Sequence, residues 1–169
     1  VQKTFNTYKN GKILRNMATN NELVLVRNTN SGNLSKYKIF TDSKGQKTDT
    51  DIHYLSLNSQ CLNSVSKGNF DLKECTPRNM EQFFVAFEIK NNEMYNKYIK
   101  LSGNYSDEHL VNILDTTIEY PFFIICPFNV PGYCVVEVNK NIYIKPVRND
   151  PYQQFTQVQT SAFCDMPNS

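Results

Sequence analysis

The chain has 169 residues, 40% of them hydrophobic and 12% aromatic, which is enough for one domain with a buried core and too apolar for a disordered segment. Its eighteen Lys and Arg are scattered among sixteen Asp and Glu, so the formal charge is only +2 and no basic stripe of the kind that nucleic-acid binders use is present. No apolar run approaches the roughly eighteen residues of a membrane-spanning helix, and the opening VQKTFNTYKN is too polar for a signal peptide.

Residues 1–20 read as a polar tail or a short helix, and a first residue of Val rather than Met suggests a product from which a leader or anchor was trimmed. Residues 22–27 (ELVLVR) and 36–40 (KYKIF) read as two strands about a Ser31-Gly32-Asn33 turn, an N-terminal hairpin expected to help close a barrel. Residues 41–51 (TDSKGQKTDTD) contain no apolar side chain and read as an exposed loop.

From residue 52 the strand signals become dense. Tyr54, Leu55 and Leu57 form one short apolar run, and Cys61, Leu62 and Val65 begin the next. After a Gly68-Asn69 turn, Phe70, Leu72 and Cys75 alternate with Asp71, Lys73 and Glu74, the period-two pattern of a strand with one buried face. A loop containing Thr76 to Asn79 leads to Gln82-Phe83-Phe84-Val85-Ala86-Phe87, too short for a helix and rich in strand formers.

This unit has echoes downstream. The anchor Phe84 has counterparts at Phe122 (EYPFFII) and Phe155 (YQQFTQV), at intervals of 38 and 33 residues. Alternating runs precede all three anchors, at residues 70–75, 110–115 (LVNILD) and 142–147 (IYIKPV). Earlier still come Cys61-Leu62, residues 98–101 (YIKL) and Cys134-Val135-Val136.

Five cysteines mean bridges outside the cell and free thiols or metal ligands inside it. Cys126 and Cys134 flank PFNVPGY, whose two prolines and glycine can turn the chain back so that the two meet. Cys164 is left over: it can stay free, bond a partner chain, or displace one of that pair. There is no C-x-x-C and only His53 and His109 offer imidazole, so a zinc site has little support. Two glycosylation sequons, at Asn33 and Asn104, are compatible with secretion.

Cys61-Leu62-Asn63, Cys75 and Gln82-Phe83-Phe84 together resemble the repeat of the ricin-type β-trefoil lectins, and Cys134 with Gln153-Gln154-Phe155 is a partial second copy. The middle copy has Tyr120-Pro121-Phe122 and lacks both cysteines, and Phe stands throughout where that family usually has Trp. The resemblance implies an all-β fold, a β-trefoil of three pseudo-repeats of about 35 residues, at roughly 52–89, 95–125 and 132–158, within one domain over residues 21–169. It also implies a Cys61–Cys75 bridge inside the first repeat. Other antiparallel barrels, in which every strand needs an inward aromatic, are the alternative fold.

In that family a sugar site combines an acidic residue after the C-L pair, an aromatic platform and an Asn-Gln pair before the anchor. By resemblance the first repeat offers Asn63, Phe70, Glu81 and Gln82, and the third offers Tyr133, Tyr143 and Gln153, with Tyr152 before it. Val136 in the third repeat and Lys100 in the second occupy the acidic place, so no repeat has the intact set. Gln82 and Gln153 have a competing role, bonding backbone within the repeat.

No G-x-S-x-G, Walker loop, H-E-x-x-H or dinucleotide fingerprint occurs, so neither catalysis nor a cofactor is expected. The leading expectation is a secreted or surface-displayed, non-enzymatic binding protein that attaches to a glycan or a cell-surface receptor. The alternative is a sugar-inactive trefoil acting between proteins, for instance in a toxin or a viral entry complex, with the apolar hairpin at residues 124–135 as its contact surface. A protease-inhibitor trefoil is a third reading.

Overall fold

The computed structural model describes residues 6–8, 12–28, 36–41, 47–159 and 162–164. The chain enters through β1 (Asn6–Tyr8) and β2 (Lys12–Asn16), turns at residues 17–21 into β3 (Glu22–Arg27), and then forms a ribbon of β4 (Lys36–Thr41) with β5 (Lys47–Asp51). Next come β6 (His53–Leu57), the hairpin of β7 (Gln60–Ser66) and β8 (Asn69–Lys73), and β9 (Phe84–Ile89). After the one α-helix among the described residues, α1 (Asn92–Leu101), follow β10 (Phe122–Pro127), the hairpin of β11 (Tyr133–Val138) and β12 (Asn141–Pro146), β13 (Phe155–Gln159) and β14 (Ala162–Cys164), which pairs with β1.

Six of these strands close a barrel in the order β3-β2-β13-β10-β9-β6, all antiparallel, with β6 returning to β3 through Val24↔Ser56, Leu25↔Leu55, Val26↔Tyr54 and Arg27↔His53. Strand alternation sends Leu14, Leu25, Leu55, Phe84, Ala86, Ile125 and Phe155 inward, so every barrel strand contributes to one interior cluster. The other faces of β9 and β10 are also covered: Val85, Phe87, Ile89, Phe122 and Ile124 pack under α1, against Tyr95, Tyr98 and Ile99. Burial on both faces explains why these two strands read as unbroken apolar runs.

The expected β-trefoil is not formed, although the all-β class is. Strands β2 and β3 are joined by a short turn with no hairpin between them, the β4–β5 ribbon lies between β3 and β6, and the middle repeat at 95–125 does not exist. Residues 98–101 belong to α1, whose Tyr95, Tyr98 and Ile99 recur at helical spacing, with Asn91 capping the Met94 N–H and Lys100 in the last turn. Residues 110–115, expected as a strand, are loop.

Two units, not three, share a plan, offset by the 71 residues that separate Phe84 from Phe155. In each, a hairpin (β7–β8, β11–β12) is followed by a 3-10 turn (Met80–Gln82, Pro151–Gln153) and a strand that begins at Phe84 or Phe155. The disulfides are Cys61–Cys75 and Cys126–Cys134. On the chain-entropy model they contribute about 3 and about 2.5 kcal/mol.

Other expectations need correction. The N-terminal hairpin extension does not pair as expected, because β3 bonds β2 and β6 while β4 bonds β5. Lys12–Asn16, read as part of a tail or short helix, is a barrel strand, and Lys47–Asp51, read as loop, is β5. Neither reads as a strand by hydrophobicity alone, and pairing with a neighbour makes each one a strand. The Ser31-Gly32-Asn33 turn and its sequon lie outside the described residues. The supposed contact surface at 124–135 is largely core, with Ile124, Ile125 and Val135 fully buried.

Two positions test this packing. Gly132 has φ +83, and a Cβ there would sit 2.3 Å from Ser102 Cα and 2.4 Å from the Leu101 carbonyl at the end of α1. Gly132→Ala is therefore expected to cost more than about 2 kcal/mol in denaturant unfolding, since neither backbone can yield cheaply. His53, buried at the barrel closure with Nδ1 3.1 Å from the Asp51 carbonyl oxygen, is held neutral by burial and then by the Lys12 charge, which lower its pKa from 6.5 to about 4. Between those values the unfolded chain takes up a proton that the folded chain excludes. Stability contributed by this group is present above pH 6.5 and lost as pH falls toward 4, by up to about 3 kcal/mol. Urea midpoints measured across that window should fall with pH, and His53→Gln should flatten the slope.

Candidate binding groove and pocket

The residues singled out from sequence do not assemble into a pocket within either unit. Asn63 is fully buried, its Oδ1 accepting from Asn79 Nδ2 at 3.0 Å. Gln82 takes the Thr76 N–H on Oε1 (2.8 Å) and donates to the Glu74 carbonyl (2.9 Å). Gln153 does the same with the Arg148 N–H (3.1 Å) and the Lys145 and Pro146 carbonyls (both 3.3 Å). Both glutamines thus staple a hairpin to the following 3-10 turn. Tyr133 is buried, and its hydroxyl accepts from Asn104 Nδ2 at 2.8 Å. Glu81 is half-buried in its 3-10 turn, with its N–H on Asn79 Oδ1.

Phe70 and Tyr143, by contrast, are brought together. They line a groove of about 370 Å³ between the β7–β8 and β11–β12 hairpins, with Leu57, Asn58, Leu72, Lys140, Asn141 and Ile142. Leu72 and Tyr143, 71 residues apart and so equivalent in the two units, are both exposed there. The Lys145 ammonium lies 5.2 Å from the Tyr143 ring centroid, a cation–π contact that steadies the ring.

Lys140 also lines a second, polar hollow of about 520 Å³ with Ala18, Thr19, Asn21, Asn139 and Tyr152. Its position is unusual. Asn139 (φ 51) and Lys140 (φ 71) are the two central residues of the β11–β12 turn, left-handed in the manner that matches hairpin twist. Asn tolerates that conformation, whereas Lys pays about 1 kcal/mol or more for it. The turn is held from below by Glu137, whose carboxylate is 1% exposed. Oε2 accepts the Lys140 N–H at 2.9 Å and Asn21 Nδ2 at 3.2 Å, and Oε1 accepts the Thr19 hydroxyl. Asn16 completes the brace: its Oδ1 takes the Ala18 and Thr19 N–H groups (2.9 and 3.1 Å), and its Nδ2 donates to the Tyr152 carbonyl (2.7 Å).

Among the described residues no cation pairs with Glu137 and no cluster of His, Cys, Asp or Glu could hold a metal ion. The Glu137 oxygens are committed to three donors, which makes this carboxylate a brace rather than a base. What faces the opening is a set of amides (Asn21, Asn58, Asn139 and Asn141), two aromatic rings at the groove (Phe70 and Tyr143), Tyr152, and the Lys140 amine. The arrangement can stack, donate and accept hydrogen bonds, and counter one negative charge. Of these residues Phe70, Tyr143 and Tyr152 were singled out from sequence. A lone Glu inside the apolar run YCVVEV, followed by Asn-Lys, was the signal for the remainder.

Glu137→Leu would orphan three donors beneath the turn and is expected to cost about 3 kcal/mol or more in thermal or denaturant unfolding, whereas Lys140→Gly should be neutral or stabilising. Comparison with family models, with curated proteins and with solved structures gives no match to the chain, so its function is argued from the groove and the pocket themselves.

Proposed function

We propose that the chain is a non-enzymatic, secreted or surface-displayed binding protein, and that a glycan lies along the groove and reaches into the polar pocket. The observation that carries this reading is the meeting of Phe70 and Tyr143, from two different hairpins, beside a hollow whose rim is amide-rich. Pyranose C–H groups pack on an aromatic face, and planar amides satisfy paired hydroxyls as donor and acceptor at once. Lys140, shared by both hollows, would lie at the middle of such a ligand. The two disulfides fit an oxidising compartment, and no helix among the described residues is long and apolar enough to cross a membrane.

The test is a glycan array followed by calorimetric titration of the best hit. Tyr143→Ala and Tyr152→Ala should each weaken binding about 5- to 30-fold, the loss of one stacking partner, while leaving the melting temperature nearly unchanged because both rings are exposed. Absence of binding by folded protein across the array would remove the glycan reading.

A further inference from the structure

The most exposed large apolar side chains among the described residues are neighbours: Ile113 is 87% exposed and Leu114 80%. Single exposed aliphatic residues are ordinary, but an adjacent pair at the apex of a fastened loop is not. The fastening is extensive. The Asn96 side chain accepts the Val111 N–H (2.6 Å) and donates to the Val111 carbonyl (3.0 Å), and Asn92 Nδ2 donates to the Asn112 carbonyl (2.9 Å). Beyond the apex, Asp115 accepts the Thr117 N–H (3.0 Å) and hydroxyl (2.6 Å), and Asn149 Nδ2 reaches it at 3.4 Å. A loop held this way presents its apolar pair instead of folding it inward.

The charge around the pair is predominantly acidic. The apex's own loop, residues 103–121, carries Asp107, Glu108, Asp115 and Glu119 and no Lys or Arg, against the single exposed Arg148 beside Asn149. On the neighbouring helix Lys97 is engaged by Glu93 at 3.4 Å. An anionic bilayer is therefore a poor match, whereas an apolar recess with a basic rim is a good one. The molecule has such a recess, the groove of Leu57, Phe70, Leu72 and Tyr143, with Lys140 and Lys145 at its edge and no acidic residue in its lining.

The two features cannot meet within one chain. Asn149, beside the apex, follows the end of β12, while the groove takes in the start of that strand, roughly 20 Å away at strand rise. We propose that the Ile113–Leu114 apex of one copy enters the groove of a second copy. One such contact leaves an apex and a groove unused, and these either pair reciprocally about a two-fold axis or take up further copies into a chain. Two aliphatic side chains bury far less than a stable dimer needs, so association is weak and concentration-driven. The contact stands whether or not the groove takes a sugar, and a sugar seated on Phe70 and Tyr143 would compete with it.

Sedimentation velocity on the full chain, from about 10 µM to about 1 mM, tests the idea. The weight-average mass should climb with concentration to that of a dimer or beyond. Ile113→Asp/Leu114→Asp, which touches only exposed side chains, and Tyr143→Ala/Lys145→Glu should each stay monomeric. An equimolar mixture of the two variants should form dimers and stop there, because one supplies an intact groove and the other an intact apex. A wild-type chain monomeric throughout, variants that associate like wild type, or a mixture that stays monomeric would overturn the proposal. So would apex-dependent sedimentation with phosphatidylcholine vesicles in place of self-association. A blank glycan array would leave the sedimentation result standing by itself.

Discussion

Closure of the barrel through β3 and β6 is the constraint on which the remaining structure depends. Without that pairing both strands would be edges, presenting unsatisfied backbone groups to solvent or to another chain. With it, side chains from all six strands share one interior, where Leu14, Leu25, Leu55, Phe84, Ile125 and Phe155 are fully buried. β6 serves three neighbours: His53 to Ser56 pair with β3, while His53 also pairs with β9, and Ser56 and Leu57 with β7. A strand that bonds β7 beyond the barrel in this way carries its hairpin clear of the closed barrel. The β7–β8 and β11–β12 hairpins consequently stand together, with a recess between them.

Keeping the recess open requires polar groups to be buried under the hairpin tip, and the chain meets that demand locally. A carboxylate taken out of water without a counter-ion is costly, and Glu137 is tolerable only because a hydroxyl, an amide and a backbone N–H converge on it. The same bonds hold Lys140 in a left-handed conformation that its side chain disfavours. The polar hollow and the strained turn are therefore one feature, fixed by a single buried acid.

Much of the fold was legible from Ile52 onward, because a half-buried hairpin writes itself as alternation and a Gln two residues before a Phe marks the 3-10 turn that staples it. Legibility failed where two periodicities coincide. Tyr95, Tyr98 and Ile99 fit a helix, while residues 98–101 alone fit a strand, and the neighbouring LVNILD alternates although only Val111 in it is fully buried, with Ile113 and Leu114 exposed. Two true units with a decayed-looking middle were thus read as three. The strands β2 and β5 were missed for the opposite reason, since their partners, not their own hydrophobicity, make them strands.

The site was harder to read than the fold because repeat logic looks for a complete pocket inside each repeat. The two units place β8 and β12 in equivalent positions, and the groove forms where those unlike hairpins face each other, Phe70 and Leu72 from one and Tyr143 from its counterpart. Each unit supplies half a site. A junction of this kind needs no complete set of side chains within either unit, and Asn63, Gln82 and Gln153 accordingly turn inward to hold hairpins. The motif residues of the sequence became scaffold, and the aromatic residues that looked like incomplete platforms became a pair.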